Sequence, residues 1–256
     1  MLKLPEGLDE FISRDPAVLL RAAIDESAAR TSLSTLRAVL RRIKARRYED
    51  GWLRATELLR PCDRLLAAAY LGYREQESVP PSRRRIYDNG TYTHLRYYCY
   101  FTELRPPWEV EAPCIVRRWP VVGEADIAVS HPDIGRLLIE LKSMNLLEWR
   151  GLSAPRSQDV WQLNNYMALA VGGVVQGQVW YENKNNQELK TFPVAYDPFL
   201  WMNSWRRVSC IMDGIYQGRL PEICEGCSKP DYCRGLRVDV EARQRAEAAR
   251  ERYYDS

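Results

Sequence analysis

The order of patterns along the chain predicts an α+β fold, a mixed central sheet flanked by helices. Three observations carry that expectation. Apolar residues recur at three- and four-residue spacing through the N-terminal region, which is the helical period. From 108 to 144 the pattern changes to that of strands, in EVEAPCIVRRW, VVGEADIAVS and GRLLIELKS. Helical spacing then returns at 156–171 and again after 198. Helices first, strands in the middle and helices around them build one layered core, and no internal repeat is visible. A chain of 256 residues buries one such core with smaller extensions.

Taken in order, residues 8–50 read as two helices, with Leu33, Leu36, Leu40 and Ile43 on an apolar face. Residues 55–73 read as helical, interrupted at Pro61 and Cys62. Pro80 and Pro81 break the chain, and 83–104 form a Tyr-rich helix. Strands occupy 108–144, with a turn at 131–133. A helix over 156–171 is followed by a hairpin over 177–197 that turns at 183–186. A helix over 198–217, a compact Cys-rich loop and a charged Arg/Glu/Ala helix over 238–253 complete the chain. The divisions are a helical extension (1–50), a main domain (51–236) and a charged C-terminal helix (237–256).

No stretch approaches the run of about 18 apolar residues that a membrane helix requires. The N-terminus, MLKLPEGLDEF, has no apolar core followed by a small-residue cleavage site, so a cytoplasmic location with no membrane contact is expected. Net charge is only +3, but the cations cluster: Arg41, Arg42, Lys44, Arg46 and Arg47, then Arg83, Arg84 and Arg85, then Arg117 and Arg118. Such runs form solvated helix faces, and they also neutralise phosphates. Fifteen Tyr and eight Trp fill cores and also offer faces on which unpaired bases stack.

The sharpest pattern lies in the strands. Asp126 stands in Gly123-Glu-Ala-Asp126, and Glu140-Leu141-Lys142 follows on the next strand. Residues i and i+2 of a strand share a face, so Glu140 and Lys142 project together while Leu141 points into the core. A hairpin brings Asp126 beside Glu140. Two adjacent carboxylates repel unless a cation sits between them, and Mg²⁺ or Mn²⁺ is the hard cation that oxygen ligands favour. Lys142 stands where an ammonium can stabilise a hydroxide or a charged transition state. Upstream, Gly90-Thr-Tyr-Thr-His94 lies on the Tyr-rich helix, where a histidine can equally be a satisfied core residue. Downstream, Gln158, Gln162 and Tyr166 form a polar line at four-residue spacing, which also fits a solvated face.

The succession G-x3-H, G-x2-D, E-x-K and Q-x3-Y resembles the motifs of RecB-like nucleases of the PD-(D/E)xK, restriction-endonuclease-like class. It is most similar to the CRISPR-associated Cas-four exonucleases and their phage relatives, over residues 55 to 236. The resemblance implies that His94, Asp126 and Glu140 are metal ligands, together with the backbone carbonyl of Leu141. It implies that Lys142 is the catalytic lysine and that Gln162 and Tyr166 orient DNA or the attacking water. Lys184 falls where that family often carries a basic residue. The first fifty residues have no counterpart in the family pattern.

Seven cysteines, an odd number without a secretory signal, favour metal binding over structural disulfides. Cys224, Cys227 and Cys233 form C-x2-C-x5-C, one ligand short of a four-thiolate site. The resemblance supplies Cys62 as the fourth, since those families place one cysteine before the nuclease core and three after it. That arrangement suits a 4Fe–4S cluster; zinc, which prefers paired Cys-x2-Cys knuckles, is the alternative. Cys99, Cys114 and Cys210 are expected as buried core thiols.

The expected function is a Mg²⁺- or Mn²⁺-dependent DNA exonuclease acting on single-stranded ends, in recombination, repair or CRISPR adaptation. One rival is a DNA-binding iron–sulfur scaffold in a recombination or integration complex with protein partners and little nuclease activity. Another is a zinc-stabilised protein-interaction module.

Overall fold

The computed structural model describes residues 16–44, 51–73, 79–170 and 176–254. Two helices come first, α1 (Pro16–Ala28) and α2 (Leu33–Lys44). Leu20, Ile24 and Val39 bury against Tyr97, Tyr98 and Phe101. The apolar face of α2 is displaced from the expected one: Leu33 is 73% exposed, whereas Thr35 and Val39 are buried. Thr35 fixes this rotation because its hydroxyl donates to Glu103. Ile43 and most of the 41–47 basic run lie outside the described side chains.

A two-residue strand, β1 (Leu53–Arg54), leads through a 3-10 turn (Ala55–Leu59) into α3 (Asp63–Tyr70). The single helix read over 55–73 is thus two pieces, parted by Pro61, which lacks an amide to donate, and by extended Cys62. Helix α4 (Pro81–Thr102) starts on Pro81, where a missing amide costs nothing. The segment 109–119, read as one strand, forms two: β2 (Glu109–Glu111) and β3 (Cys114–Arg118), in different sheets on either side of Pro113. There follow β4 (Val121–Ala125), β5 (Ile127–His131), β6 (Gly135–Met144), α5 (Leu146–Gly151) and α6 (Ser157–Leu169). The remaining elements are β7 (Gln176–Asn183), β8 (Leu189–Ala195), α7 (Pro198–Tyr216), α8 (Pro230–Gly235) and α9 (Val240–Tyr254).

The architecture is α+β, with mixed sheets flanked by helices. The larger sheet runs β2-β5-β6-β7-β8, antiparallel except for the β6–β7 pair, and the smaller runs β1-β4-β3. Parallel strands need a crossover, and α5 and α6 supply it. Strand alternation divides β6 between two cores. Leu138 and Met144 join Leu163, Tyr166 and Met167 of α6, while Ile139 and Leu141 join Tyr97 and Phe101 of α4.

The charged C-terminal helix carries a small-residue stripe that belongs to the main core. Ala242, Ala246 and Ala249 of α9 are buried. Gly51, at φ +83°, sits where a Cβ would stand 2.4 Å from the Ala249 methyl. On α7 the buried side is Trp201, Ser204, Val208, Ile211, Met212 and Ile215. Cys210 falls on the opposite side and is exposed, so the expectation of a core thiol there is wrong, whereas Cys99 and Cys114 are buried.

Candidate metal and nucleic-acid site

Asp126 occupies the step where the chain leaves β4 in one sheet and enters β5 in the other. The antiparallel register that pairs Ile127 with Ile139 sets Asp126 across from Glu140. Each Asp126 carboxylate oxygen accepts one hydrogen bond: Oδ2 from the Leu141 amide at 2.7 Å and Oδ1 from the Tyr98 hydroxyl at 3.3 Å. His94, two turns before the end of α4, places Nδ1 3.4 Å from Asp126 Oδ1 and Nε2 3.2 Å from the Leu141 carbonyl oxygen. Both ring nitrogens therefore face oxygens.

Glu140 is buried, and its two oxygens differ. Oε1 accepts Lys142 Nζ at 2.6 Å and Gln162 Nε2 at 2.8 Å, whereas Oε2 is buried with no hydrogen-bond partner among the described residues. Burial and the charge of Asp126 push the Glu140 carboxyl up to about 8, against the pull of Lys142. Burial opposes the charge on Lys142, but Glu140, Asp126 and Asp159 outweigh it and hold the ammonium above the ordinary lysine range. Burial, then the charges of Asp126, Glu124 and Glu140, raise Tyr98, which keeps its hydroxyl a proton donor.

The polar line on α6 is not a solvated face. Gln162 and Tyr166 are buried, though Gln158 is exposed. The Gln162 amide joins three groups: Nε2 donates to Glu140 and, at 2.8 Å, to the Tyr166 hydroxyl, while Oε1 accepts Lys142 Nζ at 3.2 Å. Gly123 permits this arrangement, since a Cβ there would stand 2.6 Å from the Tyr166 ring. His94, Asp126, Glu140, Lys142, Gln162 and Tyr166 all line one cavity of about 310 Å³. Lys184 is not among its lining residues; it sits exposed in the β7–β8 turn, its amide bonded to the Met144 carbonyl at 3.0 Å.

Several groups at the site went unread in the sequence. Asp159, buried on α6, lies 3.8 Å from Lys142 Nζ and accepts the Tyr181 hydroxyl at 2.6 Å. Its place three residues before Gln162 is the signal that marks it. Glu124 adds a third carboxylate to the cavity lining. Arg54 lines it too, and also a neighbouring cavity of about 360 Å³ that reaches Cys62, Arg60 and Lys229.

The four cysteines named together in the sequence converge. The sulfurs of Cys62, Cys227 and Cys233 lie within 4.8 Å of one another, and Cys224 packs against the same cluster. Separations of 3.7 Å (Cys62–Cys227) and 3.4 Å (Cys227–Cys233) exceed a disulfide bond of about 2.05 Å. Burial opposes the Cys62 thiolate, but the Leu65 amide at the start of α3, with Cys224 and Cys227, lowers its pKa overall. Burial pushes Cys233 up to about 12. Arg64 holds the loop in place by donating to the carbonyls of Cys233 at 2.7 Å and Pro221 at 2.8 Å.

No family model matches the chain. No curated protein matches it either. Among solved structures it is similar to an alkaline exonuclease (LHK-Exo) from Laribacter hongkongensis, at 14% identity and TM-score 0.45 over 64% of this chain and 87% of that one. The same exonuclease in complex with dAMP aligns at 17% identity and TM-score 0.46 over the same shares. The crystal structure of SSO0001 aligns at 14% identity and TM-score 0.42, over 69% of this chain and 84% of that one.

Proposed function

We propose that this protein is a divalent-cation-dependent deoxyribonuclease that hydrolyses phosphodiester bonds, acting as an exonuclease on single-stranded ends. The observation that carries the reading is Glu140 Oε2, a buried carboxylate oxygen without a partner in the cavity that Asp126, His94 and Lys142 share. Buried polar atoms are satisfied in folded proteins, so an orphan beside a second carboxylate points to a missing cation. Three oxygen donors and one imidazole suit Mg²⁺ or Mn²⁺. His94, Asp126, Glu140 and the Leu141 carbonyl would hold the ion, which supplies Lewis-acid charge to a phosphate oxygen and acidifies water.

The chain's own groups do the rest. Lys142 presents a permanent ammonium to charge building on the phosphate, fixed between Glu140 Oε1 and Gln162 Oε1. Gln162 sets the positions of both Glu140 and Lys142, and Tyr166 sets Gln162. Tyr98 and the Leu141 amide aim the Asp126 carboxylate.

The same reading assigns a 4Fe–4S cluster to Cys62, Cys224, Cys227 and Cys233, with a structural role. Four converging thiols with no disulfide geometry fit a soft metal centre, and the one-plus-three spacing favours iron–sulfur over zinc. Protein purified without oxygen should be brown and carry iron; a colourless protein with one zinc per chain overturns the cluster while leaving the nuclease standing. The nuclease itself is tested with end-labelled linear and circular single strands in Mn²⁺. Shortening of the linear strand alone, stopped by EDTA, is the expected result. Intact linear and circular DNA over a range of Mn²⁺ overturns the reading.

A further inference from the structure

Helix α4 carries a stripe whose inner half faces the sheet and whose outer half is exposed among the described residues. At 100° per residue, positions 83, 87, 90, 94 and 98 fall on one side of the helix. Tyr98 is buried against Asp126 and His94 lines the catalytic cavity. One turn outward, Gly90 has no heavy atom within 4 Å of the place its Cβ would take. One further turn out, the Tyr87 ring is 50% exposed, with the Arg83 guanidinium 6.0 Å from its centroid. From His94 to Arg83 the stripe runs roughly 16 Å.

Among the described residues nothing requires glycine at position 90. It lies in a regular helix, is not at positive φ, and a Cβ there would meet no described residue outside its own helix turn within 4 Å, yet a helix-interior glycine weakens the helix relative to alanine. No described residue fills the space beside it. An exposed aromatic ring beside a cation, on the same side of the helix as His94 of the cavity, matches an unpaired nucleic-acid strand, with its flat bases and charged backbone.

We propose that the outer half of α4 is a single-strand binding face. Tyr87 stacks an unpaired base, Arg83 meets a backbone phosphate, and Gly90 lets the strand pass against the helix into the cavity. The assignment rests on the nuclease reading, but its test does not require cleavage. Affinity of the full-length protein for a short fluorescent single strand, and for the matching duplex, is measured without divalent cation. Tyr87→Ala should weaken single-strand binding roughly tenfold and barely change duplex binding, and Tyr87→Phe should restore it, because stacking needs the ring and not the hydroxyl. Gly90→Leu should raise the melting temperature, being the better helix former, yet weaken single-strand binding and raise the KM for cleavage. Unchanged affinity in Tyr87→Ala, or a stabilised Gly90→Leu that binds and cuts like wild type, overturns the proposal. A wild-type protein that shows Tyr87-dependent binding but never cuts supports this face and overturns the nuclease.

Discussion

Glu140 shows how one side chain's surroundings commit it to a chemistry. Burial and the Asp126 charge raise its pKa from 4.5 to about 8, so the folded protein binds that proton more tightly than the unfolded chain. The sign follows: nothing is lost below pH 4.5, where both states are protonated, and stability contributed by the bound proton falls as pH rises toward about 8. In the proposed reading a divalent cation would replace the proton. Mn²⁺ should therefore raise the melting temperature of the metal-free protein more at the upper end of this window than at the lower end, in scanning fluorimetry. A pH-independent increment contradicts the assignment of Glu140 as a ligand. Lys142→Ala should also cost stability, about 1–3 kcal/mol, because it leaves Glu140 and Asp159 without their counter-charge. Gly123→Ala should cost a similar amount, about 1–3 kcal/mol, by driving a methyl into the Tyr166 ring. Its cleavage rate should fall as well, since Tyr166 holds Gln162.

At the scale of elements, the strands of the candidate site were legible because two-residue alternation fixes which side chains share a face. Glu140 and Lys142 could be placed together, and Leu141 apart, before any coordinates. The sheet assignment was not legible. Periodicity does not reveal that β2 and β3 part company at Pro113, or that Asp126 sits at the step between two sheets instead of within one hairpin. Residues that act through tertiary contact were likewise hidden: Tyr98 reaches Asp126 across 28 positions and Asp159 reaches Tyr181 across 22. Helix phase explains the misread cysteine. The buried side of α7 includes Val208, Ile211 and Met212, which turns Cys210 outward. Cys210→Ser should accordingly change stability by less than about 0.5 kcal/mol, against about 1–3 kcal/mol for Cys99→Ser, as read from denaturant midpoints. Equal costs would place Cys210 in the core after all.

Across the whole molecule, the cysteine group brings Cys62 beside the 224–233 loop. Cys62 and Cys227 are 165 positions apart, and Arg64 bonds to the same loop across 169. Cross-links that close long loops restrict the unfolded chain most. Arg207 adds a second tie, donating to the Leu58 carbonyl and pairing with Asp63 at the head of α3. If the four cysteines hold the proposed iron–sulfur centre, Arg64→Ala should loosen the loop and make that centre more labile, seen as faster bleaching in air with the candidate site residues unaltered. Wild-type bleaching kinetics in that variant would show that the loop does not depend on Arg64. The central claim is that the cavity between the two sheets and α6 cuts DNA with a cation held by its carboxylates. It is tested most directly by Mn²⁺-dependent cleavage of a labelled single strand by wild type, Glu140→Ala and Lys142→Ala, with Mn²⁺ binding titrated in parallel. Wild type should bind and cut, Lys142→Ala should bind without cutting, and Glu140→Ala should do neither; full cleavage by Glu140→Ala would contradict the account.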